Sequence, residues 1–138
     1  MLSFRYQCTM GSCGSCGVIA NGKHVLACRT LLSKLPKVVE VRPLYNFRVI
    51  KDLVVDQTEL FEKYRKVTPS VKPEFEELIN PKGEYIVPRK SMNEIVEHSA
   101  CINCGLCYSA CLTVSLNPSF LGPHALTALY RYVKDPRD

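Results

Sequence analysis

The chain has 138 residues, a formal charge of +5, 22% charged residues and 46% hydrophobic ones. That length holds one domain or two very small ones, the composition excludes wholesale disorder, and no stretch approaches the ~20 apolar residues that cross a bilayer. Lys and Arg are scattered without an aromatic-rich basic stripe, so a nucleic-acid partner is not expected, and the surplus suits an acidic protein partner or the negative charge of metal-bound thiolates.

In chain order, Met1 to Cys8 carries no apolar run after its charge and is not read as a signal peptide. The chain is therefore expected in a reducing compartment, where its eight cysteines point to metal ligation and away from disulfides. A glycine-rich segment, Gly11-Ser-Cys-Gly-Ser-Cys-Gly17, is built to wrap closely around a small object. Asn21-Gly22 between the apolar runs Val18–Ala20 and Lys23–Ala27 predicts a type I′ hairpin. Val38–Val41 reads as a further short strand.

Leu53 to Val67 is expected to be helical, with Leu53, Leu60, Phe61 and Tyr64 near helical spacing. Thr68 to Lys90 carries Pro69, Pro73, Pro81 and Pro88 and reads as linker, with a short helix at Glu74–Ile79. Ser91-Met-Asn-Glu94 fits a capping box that opens a helix leading into Cys101. Gly122-Pro123 predicts the start of a last helix, about His124–Val133, ending before Pro136.

The cysteines fall into two groups of four. The first has the spacing Cys8-x4-Cys13-x2-Cys16-x11-Cys28, the plant-type 2Fe–2S pattern. Two irons bridged by two sulfides need four thiolates from different directions; a tight loop delivers three, and Cys28, at the end of the hairpin, delivers the fourth. Backbone N–H groups of the loop can donate to the sulfurs. A tetrahedral zinc site is the competing reading, although zinc ribbons prefer two Cys-x2-Cys knuckles and this group has one.

The second group, Cys101-Ile-Asn-Cys104-Gly-Leu-Cys107-Tyr-Ser-Ala-Cys111, is the bacterial-type run Cys-x2-Cys-x2-Cys-x3-Cys. Three cysteines cap three corners of a cube, and the fourth, about one helical turn on, can serve a different cluster. No cysteine follows Cys111. Either Cys111 folds back as the fourth ligand, or the completing residues lie outside this chain. His24 reads as a surface residue, His98 as a helix-end residue suited to the dipole, and His124 as plain packing or solvent. Tyr45, Tyr64, Tyr85, Tyr130 and Tyr132 read as core or rim. No triad, phosphate loop or paired-carboxylate site is present, so no substrate chemistry is expected in the chain itself.

Leu2-Ser-Phe-Arg-Tyr-Gln-Cys8, Gly11-Ser-Cys-Gly-Ser-Cys16 and Leu26-Ala-Cys28 resemble the first cluster segment of the iron–sulfur subunits of succinate dehydrogenase and fumarate reductase. Pro43-Leu44 with Phe47, Val49, Asp52 and Leu53, then Cys101 to Cys111, Asn117-Pro-Ser-Phe-Leu-Gly-Pro123 and Arg131 to Asp138 resemble later stretches of that family in its order. The resemblance implies an α+β fold: a small β-rich plant-type ferredoxin-like domain at 1–50, a helix and proline-containing linker at 51–90, and a helical bacterial-type ferredoxin-like domain at 91–138. It implies that Cys8, Cys13, Cys16 and Cys28 bind 2Fe–2S, that Cys101, Cys104 and Cys107 bind 4Fe–4S, and that Cys111 serves a 3Fe–4S cluster. It further implies electron relay between a flavoprotein and a quinone at a membrane-anchor subunit, on the cytoplasmic face of the membrane as a peripheral subunit. The family's chain begins ahead of Leu2 and continues past Asp138, so this sequence is expected to be truncated at both ends. Leu112-Thr-Val-Ser-Leu116 stands where the family often has Pro and Trp near the quinone, which keeps open a related subunit serving a thiol or disulfide carrier. A zinc-stapled structural module and a fragment that does not fold stably are the remaining alternatives.

Overall fold

The computed structural model of the chain describes residues 1–72 and 86–138. The hairpin signal is realised: β1 (Gly17–Ala20) pairs antiparallel with β2 (Lys23–Leu26), with Ile19 opposite His24. Asn21 and Gly22 both take positive φ, 47° and 77°, as a type I′ turn requires. The next strand is shorter and later than expected. β3 (Val41–Arg42) joins the other edge of β1, giving the order β2-β1-β3. The Asn21 side chain helps to align it, accepting from the Glu40 N–H at 2.9 Å.

β4 (Val49–Lys51) and β5 (Val54–Val55) form a second hairpin that spans position 50, where a domain boundary was expected. The helix expected from Leu53 therefore starts later, as α1 (Thr58–Lys66), because residues 54–55 are held in strand pairing. Asp56 accepts from the Thr58 N–H and hydroxyl at the start of α1, which satisfies one orphan donor there. Its buried stripe also differs from the expected one: Leu60 and Lys63 are buried and Tyr64 is half-buried, while Phe61 faces out.

The helix α2 (Arg89–Ser99) begins at Arg89 after Pro88, two residues before Ser91, and no side chain caps it. The capping box is therefore not formed; Pro88, fixed in extended φ/ψ, sets the start instead. The short helix expected at Glu74–Ile79, and Tyr85, lie outside the described residues. Two five-residue helices follow, α3 (Leu106–Ala110) and α4 (Leu112–Leu116), separated by Cys111 in extended conformation. The last helix, α5 (Pro123–Val133), starts with proline in its first turn as the sequence indicates. Helix α5 packs against α2, α1 and α3.

The fold is thus α+β, with two small cores. Ile19, Leu44 and Val55 form one, and Leu60, Tyr108 and Val114 the other; the Phe47 ring packs against both. No helix among the described residues is long and apolar enough to cross a membrane.

Candidate iron–sulfur centre

The first four cysteines are delivered by a loop and a turn. Cys8, Cys13 and Cys16 precede β1, and Cys28 sits in a short 3-10 turn (Ala27–Arg29) directly after β2. The loop reverses direction through positive φ at Thr9 (58°), Gly11 (81°) and Gly14 (71°). Such reversals turn consecutive N–H groups inward, as anion-binding backbone nests do. The Ser12 N–H points at Cys8 Sγ at 3.4 Å. The Cys8 thiol is accordingly drawn down to about 5, first by the Ser12 hydroxyl and then by the Met10 N–H, the Cys13 thiol and the Ser12 N–H. Cys28 is pushed up, chiefly by its hydrogen bond with the Cys16 thiol, then by burial and by the negative charge of Cys16, with a further push from Cys8. Cys8 and Cys13 thus interact as one pair, Cys16 and Cys28 as another, and Cys28 feels Cys8 across the loop. Phe4, Arg5 and Tyr6 line the depression that opens on Cys16 and Cys28.

The second run divides three and one. Cys101 and Cys104 lie in the loop after α2, and Cys107 lies in the first turn of α3. Cys107 is exposed at its surface, yet enough protein crowds the thiol that burial leads the causes raising it, followed by the charges of Cys104 and Cys101. Cys111 packs instead against the core of Leu60, Tyr108 and Val114. The fourth cysteine therefore does face a different environment from the first three.

All eight thiols are free. Among the described residues no three His, Cys, Asp or Glu side chains converge on a single metal-ion position. The fit to a multi-iron cluster rests on the donor set. Soft thiolates with backbone N–H donors aimed at sulfur suit iron–sulfur chemistry.

The two cysteine groups are neighbours in space. A Cβ added to Gly14 would lie 2.7 Å from the Ile102 carbonyl oxygen and 2.9 Å from Cys104 Cα, and one on Gly17 would lie 3.1 Å from the Cys104 carbonyl oxygen. Residues 45–47 hold the second group from the other side. The Tyr45 N–H donates to Ser109 Oγ at 2.7 Å. The Asn46 side-chain amide donates to the carbonyls of Tyr108, Ser109 and Cys111 at 3.0, 3.3 and 3.1 Å. The Tyr108 and Cys111 carbonyls also accept the backbone N–H groups of Cys111 and Ser115, so the amide adds a second donor at the junction of α3 and α4.

The three histidines take different places in the fold. His24 is half-buried, not on the surface: its ring meets Tyr45 edge-on at 5.9 Å, and its Nε2 finds no partner among the described residues. His98 sits in the last turn of α2, 4.5 Å from the Tyr130 ring. His124 is buried, with Nε2 2.8 Å from the Leu60 carbonyl oxygen. Burial pushes its pKa down, and the charge of Lys63 adds to that. The sequence pattern passed over Lys63, Tyr108 and Asn46, and it read Gly14 only as part of the wrapping loop. Lys63 had a signal, since it falls three residues after Leu60 and one before Tyr64, on the inner face of α1.

Residues 1–62 match the family model described as a 2Fe-2S iron-sulfur cluster binding domain. Over nearly its full length the chain is similar to iron–sulfur subunits of fumarate reductase and succinate dehydrogenase. It is 46% identical over 141 residues to the fumarate reductase iron-sulfur subunit of Mycobacterium tuberculosis, covering 99% of this chain and 56% of the relative. It is 38% identical over 143 residues to the succinate dehydrogenase iron-sulfur subunit of Coxiella burnetii, covering 99% and 57%. Among solved structures, a chain of the Mycobacterium smegmatis Sdh1 complex in the apo form superposes with a TM-score of 0.89 at 34% identity, covering 99% of this chain and 58% of that one. The chain thus spans a little over half the length of the relatives it matches.

Proposed function

We propose that this chain is the electron-transfer subunit of a succinate dehydrogenase or fumarate reductase complex, relaying electrons between a flavoprotein and a quinone held by membrane-anchor subunits. The observation that carries the reading is the close contact of Gly14 with Cys104, which sets the two cysteine segments against each other. An iron–sulfur cluster, when bound, supplies one-electron redox chemistry.

On this reading residues 1–50 are a plant-type ferredoxin-like unit, residues 91–138 belong to a helical bacterial-type unit, and 51–90 connect them. Cys8, Cys13, Cys16 and Cys28 hold a 2Fe–2S cluster. Cys101, Cys104 and Cys107 hold a 4Fe–4S cluster, and Cys111 ligates a 3Fe–4S cluster. The mutual influence of the first four thiols supports the first assignment. The shared electrostatics of Cys101, Cys104 and Cys107, with Cys111 turned to another core, supports the others. The glycine loop shields the first group and donates N–H groups to it, while the residue 45–47 segment orients the second. The membrane-facing, peripheral placement follows from the same resemblance.

The test is anaerobic purification with the accompanying subunits, followed by iron, zinc and acid-labile sulfide analysis and EPR after reduction. Iron and sulfide with a 2Fe–2S signal and cubane signals, and electron flow from flavoprotein to quinone, are the expected results. Zinc without sulfide rejects the reading in favour of a structural module. Clusters that pass electrons to a disulfide acceptor and not to quinone reject the acceptor.

A further inference from the structure

Behind the helix that carries Cys107 lies a buried cation. The Lys63 side chain is 6% exposed, with its Nζ 2.8 Å from Glu59 Oε1 and donating to Tyr108 Oη at 2.9 Å. The Tyr108 hydroxyl in turn donates to Glu59 Oε1 at 3.1 Å, closing a triangle, and the ammonium stands 5.2 Å from the centre of the Tyr108 ring. Burial works against the charge of Lys63, but the hydrogen bonds to Glu59 and then Tyr108 hold its pKa above the usual lysine value, so the group stays cationic. A buried charge without such partners would be costly.

The two charges are not equivalent. The Glu59 side chain is 59% exposed and water screens it, whereas the Lys63 side chain is nearly buried and far less screened. The interior therefore sees a net positive field. That field reaches inward, since it contributes to lowering the pKa of His124. Tyr108, the residue under the ammonium, follows Cys107 directly and precedes Cys111 by three positions.

We infer that Lys63 tunes the reduction potential of the centre held by Cys101, Cys104 and Cys107, stabilising the electron that this centre takes up on reduction. The inference rests on the reading that those three cysteines hold a cluster. A one-electron reduction adds one negative charge at the centre; a buried positive charge nearby favours that state. Lys63 touches no reacting atom; it acts through space from behind Tyr108.

The test is an EPR-monitored redox titration, with dithionite as reductant, of the chain in its native assembly, comparing the parent with Lys63→Met and Glu59→Gln. The expected result is a lower midpoint potential for this centre in Lys63→Met and a higher one in Glu59→Gln, with the signal of the Cys8 group unmoved. Shifts of the same sign, or no shift, overturn the inference, because a merely structural role has no reason to split by charge. If Lys63→Met loses the signal, Glu59→Gln decides: an upward shift supports the tuning role, and an unchanged or lower potential overturns it. A parent without this signal removes the cluster reading and the inference together. A parent with the signal and unmoved variants removes the inference alone.

Discussion

Gly14 and Cys104 are in backbone contact: a methyl group on Gly14 would come within 2.9 Å of Cys104 Cα and 2.7 Å of the neighbouring Ile102 carbonyl oxygen. No native Cβ tolerates that approach, and Gly14 also holds a φ of 71° that other residues resist. The first cysteine loop therefore reaches the second through a position that accepts glycine alone.

Gly14→Ala should cost about 2–4 kcal/mol, the sum of left-handed strain and overpacking. Gly22→Ala is the control. It has a similar φ of 77° but no atom within 4 Å of its added Cβ, so it should cost only about 1 kcal/mol. Urea unfolding of both variants measures the difference. In the loaded assembly, Gly14→Ala should also slow electron transfer between the two centres, and Gly22→Ala should not.

Asn46 holds a φ of 61° while its side chain serves three carbonyls at the end of α3. Asn46→Gly keeps the backbone shape and removes only the amide, so it should destabilise the chain by about 1–2 kcal/mol through the lost hydrogen bonds between the segments. Asn46→Asp should be worse at neutral pH, because a carboxylate would face those carbonyl oxygens without donors. Denaturant midpoints at pH 7 give the order.

Asp135 is buried and receives Arg137 and Arg131, which hold its carboxyl far below the usual carboxylate range, the Arg137 hydrogen bond being the largest influence. The folded-state pKa lies below the unfolded one, so this pair stabilises fully above the unfolded value near 3.9 and is lost as pH falls below it. Asp135→Asn should cost about 3 kcal/mol at pH 7 by leaving two guanidinium groups without their anion. It should also flatten the fall in stability as pH drops below about 4, the unfolded carboxylate's value. Thermal unfolding at stepped pH tests both.

Single cysteine variants separate the centres. Cys16→Ser should abolish or alter the 2Fe–2S signal and leave that of the Cys101 group. Cys104→Ser should do the reverse. Loss of both signals in each variant would mean that the groups assemble as one unit, and iron and sulfide counts distinguish that outcome from simple unfolding.

The sequence by itself determined the two cysteine motifs. The spacing of Cys8, Cys13, Cys16 and Cys28 and of Cys101 to Cys111 is the signal on which the proposed thiolate ligation rests, because ligand reach is a local property of the chain. The Asn21-Gly22 turn and the proline start of α5 were legible for the same reason: each rests on the φ preference of one or two residues. Two local signals failed because a competing preference a few residues away prevailed. The β4–β5 ladder withheld residues 54–55 from the helix expected there, and α2 started at Arg89, directly after Pro88, with Ser91 inside it. Only the tertiary structure set Gly14 against Cys104, Asn46 against the end of α3 and Lys63 beneath Tyr108, at sequence separations of 90, 62–65 and 45 residues. Packing between two small cores brings those residues together, and no periodicity or spacing along the chain encodes which of them will meet.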